Sequence, residues 1–135
     1  MNRLVLLAGT AQDLMTPSPV SISEHATARE AAALLTRREI SSLPVLNDAG
    51  QPVGVLSRAD LVRHAAESSD PAEVGTIMTP TVISVAPTDP AWEAVARMAA
   101  FKVHRLYVVD EGGVLVGVVT AFDVVRKLRQ GEAGT

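Results

Sequence analysis

Cysteine is absent from this chain, which excludes disulfide staples, thiolate metal ligands and cysteine nucleophiles together. Aromatic residues are only 3% of the sequence, so a core has to be assembled from Val, Leu, Ile and Ala. No Lys/Arg-rich run occurs and the net charge is −3. That balance argues against nucleic acid or an anionic membrane as partner. No apolar stretch approaches the roughly 20 residues of a spanning helix. The opening Met1–Thr10 carries one positive charge and an apolar run too short for a secretory leader. It is expected to be an extended segment packed on the first unit, in a cytoplasmic protein. Gly-x-Ser-x-Gly, P-loop and Gly-x-Gly-x-x-Gly patterns are all missing. His25, His64 and His104 lack the i,i+3 or i,i+4 companions of a metal-binding helix, so no metal site is expected.

What is present is a duplication. Shifted by 63 residues, the chain lies on itself without a gap. Asp13-Leu14-Met15-Thr16-Pro17 falls on Thr76-Ile77-Met78-Thr79-Pro80, and Val20-Ser21-Ile22 on Ile83-Ser84-Val85. Leu43-Pro44-Val45-Leu46 falls on Leu106-Tyr107-Val108-Val109. Asp60-Leu61-Val62-Arg63 falls on Asp123-Val124-Val125-Arg126. So long a period, present twice, points to a pseudo-symmetric pair rather than a solenoid. The copies are placed at residues 11–67 and 74–130, with the polar stretch 68–73 between them as a linker.

Each copy reads as β-α-β-β-α, an α/β (α+β sandwich) unit. A short strand is expected at Val20–Ile22 and at Val82–Val85. A helix follows, opened by capping-box spacing at Thr27–Glu30 and by Asp89-Pro90 as N-cap and first helical position. The helices run to Arg38 and Phe101. Strands Leu43–Leu46 and Val53–Leu56, then Leu106–Val109 and Val116–Val119, are joined by Asn/Asp/Gly turns. Closing helices are expected at Ala59–Glu67 and Phe122–Gln130. A lone unit of this size buries apolar surface poorly, whereas two packed sheet to sheet form one adequate core. Ala28-Ala31-Ala32 and Ala91-Val95-Ala99 are read mostly as core stripes. Trp92 is read as core or as part of a helix-mediated subunit contact.

The signal that carries chemistry is Gly-φ-φ-Ser/Thr-x-x-Asp, with φ apolar. It occurs as Gly54-Val55-Leu56-Ser57-Arg58-Ala59-Asp60 and as Gly117-Val118-Val119-Thr120-Ala121-Phe122-Asp123. Ser/Thr-x-x-Asp is an ordinary helix-capping pattern and needs no ligand to explain it. The same residues at a helix N-terminus also suit a phosphate, through N–H groups and the hydroxyl, and a ribose diol, through the carboxylate. The two roles are compatible.

With its Met-Thr-Pro openings, Ser-Ser-Leu-Pro-Val and His-Arg-Leu-Tyr-Val-Val strands and paired Gly-φ-φ-Ser/Thr-x-x-Asp turns, the chain resembles a tandem pair of CBS domains, a Bateman module. The resemblance covers about residues 11–130. It implies two pseudo-symmetric clefts for adenosyl ligands such as AMP, ADP, ATP or S-adenosylmethionine. It also implies a regulatory rather than catalytic role, with no required cofactor. One cleft would use Thr120 for phosphate, Asp123 for the ribose diol, His104 and Arg105 for the phosphates, and Thr16, Val20 and Ile40 around adenine. The other would use Ser57, Asp60, Ser41 and Ser42, with Thr79, Ile83 and Val103 as its adenine wall. Arg105 is a forked, permanent cation where the second cleft offers neutral Ser42, so the Thr120/Asp123 cleft is expected to bind phosphorylated adenosine more tightly. The two copies nearly fill the 135 residues, so the output is expected to act in trans on a partner protein. A homodimer is expected. The competing readings are a ligand-free interaction module and an S-adenosylmethionine or NAD sensor.

Overall fold

A computed structural model describes residues 3–68 and 70–131; Ser69, in the expected linker, lies outside them. In chain order the elements are β1 Leu4–Leu6, α1 Ala11–Leu14, β2 Thr16–Pro17, β3 Ile22–Ser23, α2 Ala28–Arg38, β4 Ser42–Leu46, β5 Pro52–Ser57 and α3 Arg58–Glu67. They continue as α4 Val74–Ile77, β6 Ser84–Val85, α5 Ala91–Phe101, β7 Arg105–Val109, β8 Leu115–Thr120, α6 Ala121–Arg126 and β9 Leu128–Gln130. The expected β-α-β-β-α order recurs as β3-α2-β4-β5-α3 and as β6-α5-β7-β8-α6.

Local chemistry explains the hairpins. Asn47 Oδ1 accepts from the N–H groups of Ala49 and Gln51, and Asp110 Oδ1 from those of Gly112 and Val114. Gly50 and Gly113 both sit at φ 79°, a left-handed conformation that glycine adopts without steric cost. Helices α2 and α5 end in left-handed residues, Glu39 and Lys102, whose N–H groups close back onto the last turn.

The compact units do not follow the repeats. One holds residues up to Pro19 together with Ile83 onward; the other holds Val20–Val82. The opening segment of each copy is therefore built into the unit of the other copy. In the first unit β2 joins the antiparallel edge of β8, giving the sheet order β2-β8-β7-β6. The N–H groups of Ala11 and Gln12 donate to the carbonyls of Asp89 and Pro87 at 2.8 and 3.0 Å. In the second unit the sheet is β3-β4-β5, and Thr79 bridges Val55 in antiparallel fashion. There the N–H groups of Val74 and Gly75 donate to the carbonyls of Ala26 and Glu24 at 2.7 and 2.8 Å. These bonds repeat those of the first unit one period earlier or later.

Each unit has its own apolar cluster. Ala11 and Leu14 are buried with Ala94, Leu106, Val108 and Val119 in the first, and Val74 with Ala31, Val45 and Leu56 in the second.

Several expectations are corrected. The closing helix of the second copy stops at Arg126, because Leu128–Gln130 pairs as a strand with Leu4–Leu6. Leu4–Leu6 of the opening segment is thus extended but pairs with the second copy; Met1 and Asn2, in the same expected segment, lie outside the described residues. Strand β3 begins at Ile22 and β6 at Ser84, each later than the alternation suggested. Asp89 does not cap α5, because its carboxylate accepts from Ala86 N–H at 2.8 Å and Pro90 takes the N-cap position. The buried stripe of α5 is Ala91-Ala94-Met98, while Trp92 is 67% exposed and so is not core. In α2 the buried stripe is Ala31-Leu35.

Leu14 tests the exchange of segments. Leu14→Ala is expected to cost about 2–5 kcal/mol in urea unfolding, as deletion of a buried leucine does. Loss of amide-exchange protection should concentrate in residues 83–131. Loss confined to residues 20–67 would contradict the exchange.

Candidate functional site

The β8–α6 junction gathers the first constellation. Thr120 and Asp123 form a reciprocal capping box: Asp123 N–H donates to Thr120 Oγ1 at 3.1 Å, and Thr120 N–H to Asp123 Oδ2 at 2.9 Å. The Thr120 hydroxyl also donates to Oδ2, at 2.9 Å. On the other oxygen, Oδ1, Asp123 accepts from the Thr16 hydroxyl at 3.2 Å and from Arg126 Nη2 at 3.1 Å. Asp123 is buried, and these donors satisfy a charge that would otherwise be costly to bury. Arg105 is the cross-strand partner of Thr120, and the His104 carbonyl accepts from Ala121 N–H at 2.8 Å. His104 is exposed and Arg105 half-buried.

The β5–α3 junction repeats this arrangement. Ser57 N–H donates to Asp60 Oδ2 at 2.8 Å and Asp60 N–H to Ser57 Oγ at 3.1 Å. The Thr79 hydroxyl and Arg63 Nη2 both reach Asp60 Oδ1, at 3.4 and 2.8 Å. Ser42 pairs with Ser57 across the strands, and the Ser41 carbonyl accepts from Arg58 N–H at 3.0 Å. The position beside the capping hydroxyl is thus cationic in one unit and neutral in the other.

The Met-Thr-Pro and Gly-φ-φ-Ser/Thr-x-x-Asp motifs interlock within each unit. A Cβ on Gly117 would run into the Met15 sulfur, and one on Gly54 into the Met78 sulfur and, at 2.7 Å, the Thr79 carbonyl. The glycine admits the methionine, and the next residue, threonine, then reaches the carboxylate. Thr16 and Thr79, expected beside adenine, are hydrogen-bonding partners of the carboxylates. Val20 and Ile40 belong to the second unit and Thr120 and Asp123 to the first. Ile83 and Val103 pack against the core of the first unit, whereas Ser57 and Asp60 belong to the second. Arg63 and Arg126 were missing from the expected site. Their signal was present, since both stand three residues after the aspartate in each copy.

The CBS domain family matches residues 11–67 and 74–130. The chain belongs to this family. It is 33% identical over 135 residues to the 5′-AMP-activated protein kinase subunit gamma-3 of Bos taurus, covering 93% of this chain and 26% of that protein. It thus spans about a quarter of that relative's length. Its fold is similar to the crystal structure of CBSX2 in complex with AMP, with a TM-score of 0.77 and 29% identity over 88% of this chain and 95% of that one. It is also similar to the cytosolic domain of the Mg2+ channel MgtE in complex with ATP, with a TM-score of 0.76 and 34% identity over 87% of this chain and 48% of that one.

In this CBS pair, burial raises the Asp60 carboxyl, but the Ser57 N–H, the Arg63 guanidinium and the Ser57 hydroxyl together hold it below the ordinary 3.8. A depressed carboxyl adds stability that is present above its unfolded pKa and is lost as pH falls through the folded value. Between about pH 7 and about pH 3, wild type should therefore lose more stability in urea unfolding than Asp60→Asn. Equal losses would contradict this.

Proposed function

We propose that this CBS pair is a non-catalytic regulatory module that binds an adenosine nucleotide of the AMP, ADP or ATP type, most tightly at the Thr120/Asp123 junction, and passes the bound state to a partner protein. The observation that carries the reading is a buried carboxylate beside a capping hydroxyl in both units, with His104 and Arg105 added in one of them. A carboxylate accepts both hydroxyls of a ribose, and a forked guanidinium suits a phosphate as a point cation does not. The similarity to CBS structures solved with AMP and with ATP supports the same ligand class. A ligand moves such a module between states only by the difference between its affinities for them.

Calorimetric titration with AMP, ADP, ATP and S-adenosylmethionine, with GMP as control, tests the reading on wild type, Asp123→Asn and Asp60→Asn. Adenosine nucleotides should bind and GMP should not. Asp123→Asn should weaken AMP at least about tenfold, the order of one charge-assisted hydrogen bond, while Asp60→Asn leaves the tighter site within about twofold. Equal losses, or a loss in Asp60→Asn alone, would contradict the assignment of the tighter site. Binding of S-adenosylmethionine alone would change the ligand class. No binding of any adenosyl ligand would leave the interaction module as the better account.

A further inference from the structure

The two arginines that follow the aspartates occupy the carboxylate atoms a ribose would need. Asp123 already has four donors: the N–H and hydroxyl of Thr120 on Oδ2, and the Thr16 hydroxyl and Arg126 on Oδ1. A carboxylate offers about four acceptor positions, so the Asp123 carboxylate is filled, whereas Asp60 carries three donors, from Ser57 N–H, Thr79 and Arg63. A diol that binds at Asp123 has to displace a donor. Thr120 N–H is fixed by the helix cap, the Thr120 hydroxyl oxygen is held in the same box by Asp123 N–H, and Thr16 is fixed by the pairing of β2 with β8. Arg126 differs from all three. Its side chain is 53% exposed against 4% for Asp123, so its guanidinium returns to water when released. While paired with Asp123 it also lies over the Phe122 ring, 5.4 Å from the centroid.

We propose that Arg126 is a latch, an intramolecular competitor that closes the Asp123 carboxylate until a ribose diol displaces it, and that Arg63 competes in the same way for Asp60 Oδ1. This rests on the reading of these carboxylates as ribose-binding groups. The latches are unequal. Arg63 holds Asp60 at 2.8 Å and Arg126 holds Asp123 at 3.1 Å, and Ala59 stands where the first unit has Phe122. Binding converts a paired arginine into a solvent-facing cation on the outer surface of α6. The bound state is thereby written as a local change of surface charge that a partner reads.

Removing the latch should strengthen binding. Arg126→Gln is expected to bind adenosine and AMP alike roughly two- to fivefold more tightly than wild type, the scale of a half-exposed ion pair. Arg63→Gln should strengthen only the weaker site. Adenosine carries no phosphate, so an equal gain with both ligands separates release of the carboxylate from any effect on phosphate attraction. In wild type, the Arg126 side-chain Nε–H resonance should shift on saturation with adenosine. Binding by wild type, with Arg126→Gln unchanged or weaker toward adenosine, would overturn the latch and leave the nucleotide reading standing. No binding of adenosine or AMP by wild type or either variant would remove the ribose reading, and the latch with it.

Discussion

A hydroxyl–carboxylate hydrogen bond made by a borrowed segment is the constraint on which the molecule depends. Thr16 reaches Asp123, and Thr79 reaches Asp60. In each case the threonine is supplied by one repeat and the aspartate by the other. Several features follow from that geometry. Glycine is needed at 54 and 117 because methionine sulfur fills the volume a Cβ would take. The aspartates are buried, and capping groups, a threonine and an arginine satisfy their oxygens. Burying such a group without those partners would cost several kcal/mol.

The exchange also makes each unit composite. The second repeat cannot complete its four-stranded sheet without β2, nor close its apolar cluster without Ala11 and Leu14. The first repeat likewise depends on Val74 from beyond the linker. Duplication followed by reciprocal exchange ties the two copies together covalently and through their cores. The local chemistry differs between the copies: His104, Arg105 and Phe122 stand where the other copy has Ser41, Ser42 and Ala59.

Much of this was legible from residues alone, because the signals were local. The long helices α2 and α5 end where expected, and the hairpin turns close on the Asn47 and Asp110 side chains and on left-handed glycines. Ser57 and Thr120 cap as their spacing indicates. The exchange was legible only through the family resemblance, which set Thr16 with Asp123 and Thr79 with Asp60. A 63-residue register by itself reports similarity and is silent on which copy a Met-Thr-Pro segment joins, since both choices present it with the same glycine and aspartate. Leu128–Gln130 has a helix-compatible pattern, and only a strand from the other end of the chain overrides it. Arg63 and Arg126 stood outside the expected site, and the competition of Arg126 for a filled carboxylate emerges only when every donor on Asp123 is counted. Asp89 was drawn away from its helix by Ala86, a contact that no capping pattern encodes.

The most direct measurement is a double-mutant cycle on the first unit, with Thr16→Val, Asp123→Asn and the double variant compared by urea unfolding. If the borrowed threonine and the buried carboxylate form the central bond, the cycle should show a coupling of about 1 kcal/mol or more. Additive losses, with coupling below about 0.3 kcal/mol, would show that the two residues do not act together and would contradict the account.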